Sequence, residues 1–346
     1  MTRSQYPTAL ILGIEGKCLS SDEKQFFRDL NPLGFILFQR NCESPDQITR
    51  LVGECRETVG RDSIPILIDQ EGGRVQRLSL PHWRNLPSAK CFADLYEISQ
   101  ADASEALYLN SLLMARDLIE IGITINCAPV LDVPQPYAHD IIGDRALGSS
   151  PRIISVLASI VCRGLLAGGV LPVIKHMPGH GRACADSHLE LPTVDASWEE
   201  LENSDFIPFY ELSNMPWAMT AHVLYSALDD NNPATTSLKI IQEVIRKTFK
   251  FDGVLVSDDI GMSALSGNFD ERVSASLGAG CDIALHCSGN LKEMVATASG
   301  AQSLRDSSMR RLQYGEELRQ RTIRDEIDKE FALDRLERLL AKYRML

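Results

Sequence analysis

Eight short apolar runs rich in β-branched and aromatic residues recur along the chain. Each is followed by a longer amphipathic stretch, the pattern of parallel strands joined by helices. The runs are Ala9–Ile14, Gly34–Phe38, Ile64–Ile68, Thr124–Ala128, Val170–Ile174, Trp217–Ala221, Gly253–Val256 and Asp282–Leu285. The spacing predicts helices at Ser21–Leu30, Asp46–Val59, Ala103–Ile121, Arg152–Leu166, Ser197–Leu212, Leu238–Lys247, Ser263–Leu277 and Leu291–Thr297. Eight alternations with no Pro/Ser-rich linker favour an α/β fold, a single (β/α)8 TIM-type barrel, over an open doubly wound sheet. With 346 residues, 44% of them apolar, the chain can bury one such core, so a single barrel domain over 1–346 is expected. In the C-terminal extension, about 303–346, Leu333, Leu336, Leu339, Leu340 and Tyr343 recur at three- and four-residue intervals. That predicts an amphipathic helix on the barrel rather than an interaction module.

Composition narrows the partners. Lys plus Arg is 35 and Asp plus Glu is 47, so the net charge of −12 repels polyanions, and no basic run offsets it. The nine cysteines are scattered without a C-x-x-C, which indicates neither a disulfide framework nor a zinc ribbon and fits a reducing compartment. Thr8–Ile14 is too short for a signal-peptide core. The apolar run Val156–Ile174 carries Arg163 and a Gly168-Gly169 break before Pro172, so it reads as a helix followed by a strand, not a membrane span. A monomer with neither nucleic-acid nor membrane partners is expected.

In a barrel, reactive side chains collect just past the C-terminal strand ends. Asp69-Gln70-Glu71-Gly72-Gly73-Arg74 follows the third strand and Lys175-His176-Met177-Pro178-Gly179-His180-Gly181 the fifth. His222, Ser257-Asp258-Asp259 and His286 follow the last three. Buried strands that end in ionisable groups are costly unless those groups share a wet or charged pocket. A carboxylate at a strand end can attack an electrophilic carbon without prior deprotonation, which makes Asp258-Asp259 the nucleophile candidate. Alternation sends the two to opposite faces, and Asp259 could cap a helix starting at Ser263.

Segment 175–188 holds Lys175, His176, His180, Asp186 and His188, and Gly179 and Gly181 suit it to a mobile loop. Two readings compete with simple solvation. Three histidines could bind a metal, but H-x-x-x-H spacing needs a helix that Pro178 and the glycines oppose. Alternatively, Asp186 two residues before His188 can fix its tautomer and raise its basicity for proton transfer. Asp69, Arg74, Arg77 and Asp144-Arg145 suit either bidentate bonds to vicinal hydroxyls or a carboxylate, or structural salt bridges. Neither a nucleotide-binding glycine loop nor a G-x-S-x-G is present.

Several of these segments, taken in order, resemble the signatures of family 3 glycoside hydrolases: Ile68–Arg77, Ala128–Val133, Gly143–Ala146, Lys175–Gly181, Asp186–His188 and Val256–Asp259. The branch they resemble is the bacterial β-N-acetylglucosaminidases (β-hexosaminidases) of peptidoglycan recycling. The resemblance implies a retaining exo-β-N-acetylglucosaminidase in which Asp258 is the nucleophile and His188, supported by Asp186, the acid/base. It further implies that Asp69, Arg77, Arg145, Lys175 and His176 grip the terminal sugar, with GlcNAc-1,6-anhydro-muropeptides as substrate, no cofactor and a cytoplasmic site. The chain departs from the commoner pattern at Arg182-Ala183-Cys184 and at Ile260-Gly261, both in loops that bear on substrate preference. Two rivals are distinguishable by assay. A zinc hydrolase using His176, His180 and His188 fails if metal-free protein in EDTA still cleaves an aryl β-GlcNAc. A non-catalytic sugar-binding protein fails if wild type releases the aglycone and Asp258→Ala does not.

Overall fold

The computed structural model describes residues 6–323 and 328–344. Eight parallel strands close into a barrel: β1 Thr8–Gly13, β2 Pro32–Leu37, β3 Ile66–Ile68, β4 Ile125–Asn126, β5 Leu171–Met177, β6 Trp217–Thr220, β7 Val254–Asp259 and β8 Ile283–His286. Closure is made by β8 against β1, with Leu10 opposite Ala284 and Leu12 opposite His286. Each strand coincides with an apolar run of the sequence to within a few residues. Residues of β2, β3 and β5 are buried along their whole length, because helices cover the outer face and side chains fill the inner one. Gly34 is required in β2, since a Cβ there would strike the Pro65 carbonyl of the neighbouring chain segment.

Local chemistry explains the early helix boundaries. Ser20 and Glu23 form a capping box before Ser21–Leu30, which ends at Asn31 in the left-handed region (φ 51°). Helix Pro45–Val59 starts with a Ser44 cap and a proline in its first turn and ends at Gly60 (φ 69°). Three expected helices differ. The stretch 197–212 is two short helices, Trp198–Glu202 and Ile207–Glu211, because Pro208 suits a first turn but not a helix interior. The helix expected from Ser263 begins at Phe269, where Asn268 and Glu271 form the capping box. The stretch 238–247 is a π-type helix, Ile240–Thr248. A further helix, Ala89–Ile98, precedes Gln100–Glu120.

Helix Pro151–Gly168 is the one described helix long and apolar enough to cross a membrane; 67% of it is buried in the protein, and it leads directly into β5. The extension beyond 303 packs on the barrel. Helix Asp306–Thr322 crosses the N-terminal end, where Arg311 bonds both Asp252 and Asp282 and Arg319 donates to the Gly169 carbonyl. Helix Lys329–Lys342 buries Leu336, Leu339 and Leu340, while Leu333 stays 37% exposed. Arg335 pairs with Glu105 and Lys342 with Asp102 on helix Gln100–Glu120. Residues 324–327 and 345–346 of the extension lie outside the described residues. All nine cysteines are free thiols.

Candidate active site

At the C-terminal end of the barrel a cavity of about 320 Å³ opens between the loops, large enough for a small ligand such as one sugar ring. Of the eight site residues expected from sequence, Asp69, Arg77, Arg145, Lys175, His176, His188 and Asp258 line it. The eighth, Asp186, stands behind His188, with its Oδ1 2.7 Å from His188 Nδ1 and 2.9 Å from the His188 backbone N–H. Partial burial works to raise the Asp186 carboxyl, but the N–H and ring of His188 outweigh it and hold it below the usual value.

The floor is a charged network. Lys175 at the end of β5 reaches Asp69 at 3.0 Å and Glu71 at 2.7 Å; Arg145 takes the Glu71 carboxylate bidentately, both contacts at 2.9 Å. Burial opposes charge on all three, yet the mutual attraction prevails: Glu71 is lowered, and Lys175 and Arg145 are raised. Arg77 lies 3.4 Å from Asp69 and over the Phe38 ring. Arg74 instead pairs with Asp144 and Asp140 at the rim, so the salt-bridge reading holds for it.

Beside this network, Asp132 is fully buried and accepts three bonds. They come from His176 Nδ1 at 2.7 Å, the His176 N–H at 3.2 Å and the His180 N–H at 2.7 Å. That sets which nitrogen of His176 faces the cavity. Asp258 lines the same cavity. Its Oδ1 accepts the Asp259 N–H at 2.8 Å. Burial raises its carboxyl, and His176, His222, that N–H and Lys175 together outweigh burial, so it sits below the ordinary carboxylate value and is ionised at neutral pH.

Asp259 diverges from Asp258 as strand alternation requires, but it caps no helix. Its Oδ1 accepts the N–H groups of Gly261 at 2.9 Å and Cys287 at 3.1 Å, tying the turn after β7 to the end of β8. His222 and His286 are buried and structural: His222 bonds Thr235 Oγ1 and the Asp259 carbonyl, and His286 bonds Ser288. Segment 178–181 is not helical, and the rings of His176, His180 and His188 turn one nitrogen each to Asp132, Ser187 and Asp186. Among the described residues no three metal-ligand side chains are grouped to hold an ion. Gly181 is more than a source of mobility, since a Cβ there would strike the Val133 carbonyl.

The family model for the glycosyl hydrolase family 3 N terminal domain matches residues 14–314. The chain belongs to glycosyl hydrolase family 3. A β-hexosaminidase of Alkalilimnicola ehrlichii is 39% identical over 282 residues, 80% of each chain, and one of Pseudomonas aeruginosa is 37% identical over 294 residues, 84% of this chain and 86% of that one. NagZ of Neisseria gonorrhoeae, solved in complex with N-trifluoroacetyl-D-glucosamine, superposes with a TM-score of 0.86 at 30% identity, covering 96% of this chain and 98% of that one. The chain is therefore a glycoside hydrolase, and its barrel is that of the family 3 enzymes.

Two residues of this family 3 site carry no assignment from sequence. Glu71 lies inside the quoted segment Ile68–Arg77, and Asp132 inside Ala128–Val133. Both carboxylates follow apolar residues closely, a signal that a cation or N–H must meet them, but the cation nearest Glu71 in sequence, Arg74, pairs with Asp140 and Asp144 instead. Which cation or N–H meets each depends on the closed barrel.

Proposed function

We propose that the chain is a retaining exo-β-N-acetylglucosaminidase that removes terminal β-linked GlcNAc, with GlcNAc-1,6-anhydro-muropeptides as its substrate. The observation that carries this reading is that Asp258 and His188 line one cavity, with Asp186 bonded to His188 Nδ1 from behind. In the first step Asp258 attacks the anomeric carbon through an oxocarbenium-like transition state while protonated His188 gives its proton to the leaving oxygen. In the second, His188 takes a proton from water, which hydrolyses the glycosyl-Asp258 and restores the β configuration. Asp186 accepts from His188 Nδ1, so the other ring nitrogen carries the transferred proton. Asp69, Arg77, Arg145, Lys175 and His176 hold the hydroxyls and acetamido group. One barrel is the whole catalytic unit, acting as a cytoplasmic monomer without a cofactor.

Leaving-group chemistry tests the roles. Asp258→Ala cripples every substrate, because no leaving group replaces the missing attack. His188→Ala spares the first step for dinitrophenyl β-GlcNAc, whose aglycone leaves without a proton, and gives a burst followed by slow turnover. Azide accelerates that turnover and yields a β-glycosyl azide. Substantial activity with retention in Asp258→Ala would instead assign the covalent step to the substrate's acetamido group. Product analysis on purified muropeptides tests the substrate.

A further inference from the structure

The dyad contact between Asp186 and His188 spans two residues of one loop. It fixes the imidazole relative to the loop, not the loop relative to the sugar pocket. The His188 side chain is 61% exposed, so packing does not place it. The residue between the two dyad members behaves differently. Ser187 is 3% exposed, and its Oγ lies 3.2 Å from Nε2 of His180. On its other side the Ser187 carbonyl accepts the Ala264 N–H at 3.2 Å, and the His188 carbonyl accepts the Ser263 N–H at 3.4 Å, both from the loop that follows β7 and Asp258.

His180 is itself fixed. Its N–H donates to Asp132 at 2.7 Å, and the preceding Gly179 carbonyl accepts the Tyr225 hydroxyl at 2.6 Å. The same Asp132 holds the His176 ring, and the His176 and His180 rings meet edge to face at 5.8 Å. His180 Nδ1 is buried without a hydrogen-bond partner. A buried N–H without an acceptor is costlier than a lone pair without a donor, so the proton sits on Nε2 and is donated to Ser187 Oγ. Burial keeps this ring neutral at working pH, lowering it to about 4.

We propose that His180 and Ser187 are positioning residues, a link through which Asp132 sets the acid/base loop in register with the groups that hold the sugar. Asp132 then orders His176 directly and His188 through His180 and Ser187. This rests on His188 being the proton donor, and the test separates the two claims. The readout is kcat/KM, which reports the first irreversible step, for aryl β-GlcNAc substrates with good and poor leaving groups. Loss of one hydrogen bond that places the acid lowers kcat/KM of Ser187→Ala roughly five- to tenfold for 4-methoxyphenyl β-GlcNAc, which needs protonation. For the 2,4-dinitrophenyl substrate the expected loss is less than about twofold, since that aglycone leaves unprotonated. Ser187→Thr, which keeps the hydroxyl, restores the poor substrate, and His180→Gln, which keeps a donor, lies between. Equal losses on both substrates, or none on either, overturn the link. His188→Ala is the benchmark. If it shows no leaving-group dependence, the acid/base reading has failed; if it does and Ser187→Ala does not, only the link has.

Discussion

Glu71 Oε1 lies 2.7 Å from Lys175 Nζ, and the same carboxylate takes Arg145 through Nε and Nη2. One buried anion thus separates two buried cations on the floor of the cavity. Glu71 and Lys175 side chains are only 7% and 3% exposed, so solvent screens this network little.

Glu71→Gln keeps the shape and removes the charge, leaving Lys175 with Asp69 alone and Arg145 without its bidentate partner. Breaking a buried pair from one side costs about 3–5 kcal/mol, read as a lower urea midpoint with an unchanged slope. Because the folded carboxyl is lowered, its contribution is present above the unfolded glutamate value and is lost as pH falls below it. The gap between wild type and variant therefore narrows in acid. A midpoint that does not move shows that the network contributes no net stability.

Lys175 has three donors, and Asp69 and Glu71 occupy two. The third is free for a sugar hydroxyl, a charge-assisted bond worth about 1.5–3 kcal/mol. Lys175→Ala is expected to lower kcat/KM roughly ten- to a hundredfold. Unchanged kcat/KM would make Lys175 a purely structural ion.

His180 makes stability fall in mild acid. Its folded value, about 4, lies below the ordinary 6.5 because burial disfavours the charged ring, so between these values the unfolded chain binds a proton that the folded chain refuses. The term is absent above pH 6.5 and reaches about 2 kcal/mol by pH 5. His180→Gln lacks it. Denaturation of both proteins at pH 7.5 and pH 5 checks this, and parallel losses would assign the acid sensitivity elsewhere.

Arg182, at the Arg-Ala-Cys departure from the family pattern, donates from Nε to Asp205 at 2.7 Å and from Nη1 to the Tyr137 hydroxyl at 3.2 Å. Asp205 is 1% exposed, and burial already raises its carboxyl. Arg182→Ala leaves that carboxylate buried and unpaired, costing about 3–5 kcal/mol. Adding Asp205→Asn recovers most of the loss, because a neutral amide needs no counter-ion. Thermal unfolding of the two single variants and the double variant completes the cycle; strict additivity would deny the coupling.

Two glycines lie at the base of the acid/base loop, and they differ. Gly179 has φ 138° and needs its missing Cβ for conformation, whereas Gly181 needs it for contact with the Val133 carbonyl. Gly181→Ala is expected to displace the loop base and lower kcat for substrates with poor leaving groups more than for dinitrophenyl β-GlcNAc. Leaving-group series on the purified variant measure this, and an unchanged ratio between substrates removes the loop base from acid/base placement.

The sequence by itself determined the strands and the early helices. The short run Ile64–Ile68, set between amphipathic stretches in an eightfold alternation, reads as a strand buried on both faces, and Ser20 with Glu23 caps a helix with its own neighbours. These signals act within a few residues and survive in one dimension. The helix expected from Ser263 failed at the same range because the Asn268 and Glu271 box outcompetes Asp259, whose carboxylate is drawn to Gly261 and Cys287. Alternation along β7 showed that Asp258 and Asp259 part company, but not which one enters the cavity. Only closure of the barrel decided that, along with the partners of the buried carboxylates. Asp132 meets His176 from 44 residues away, and Asp69 meets Lys175 from 106. A carboxylate in low dielectric must find a cation or an N–H, and no local pattern names a partner that strand order brings from across the barrel.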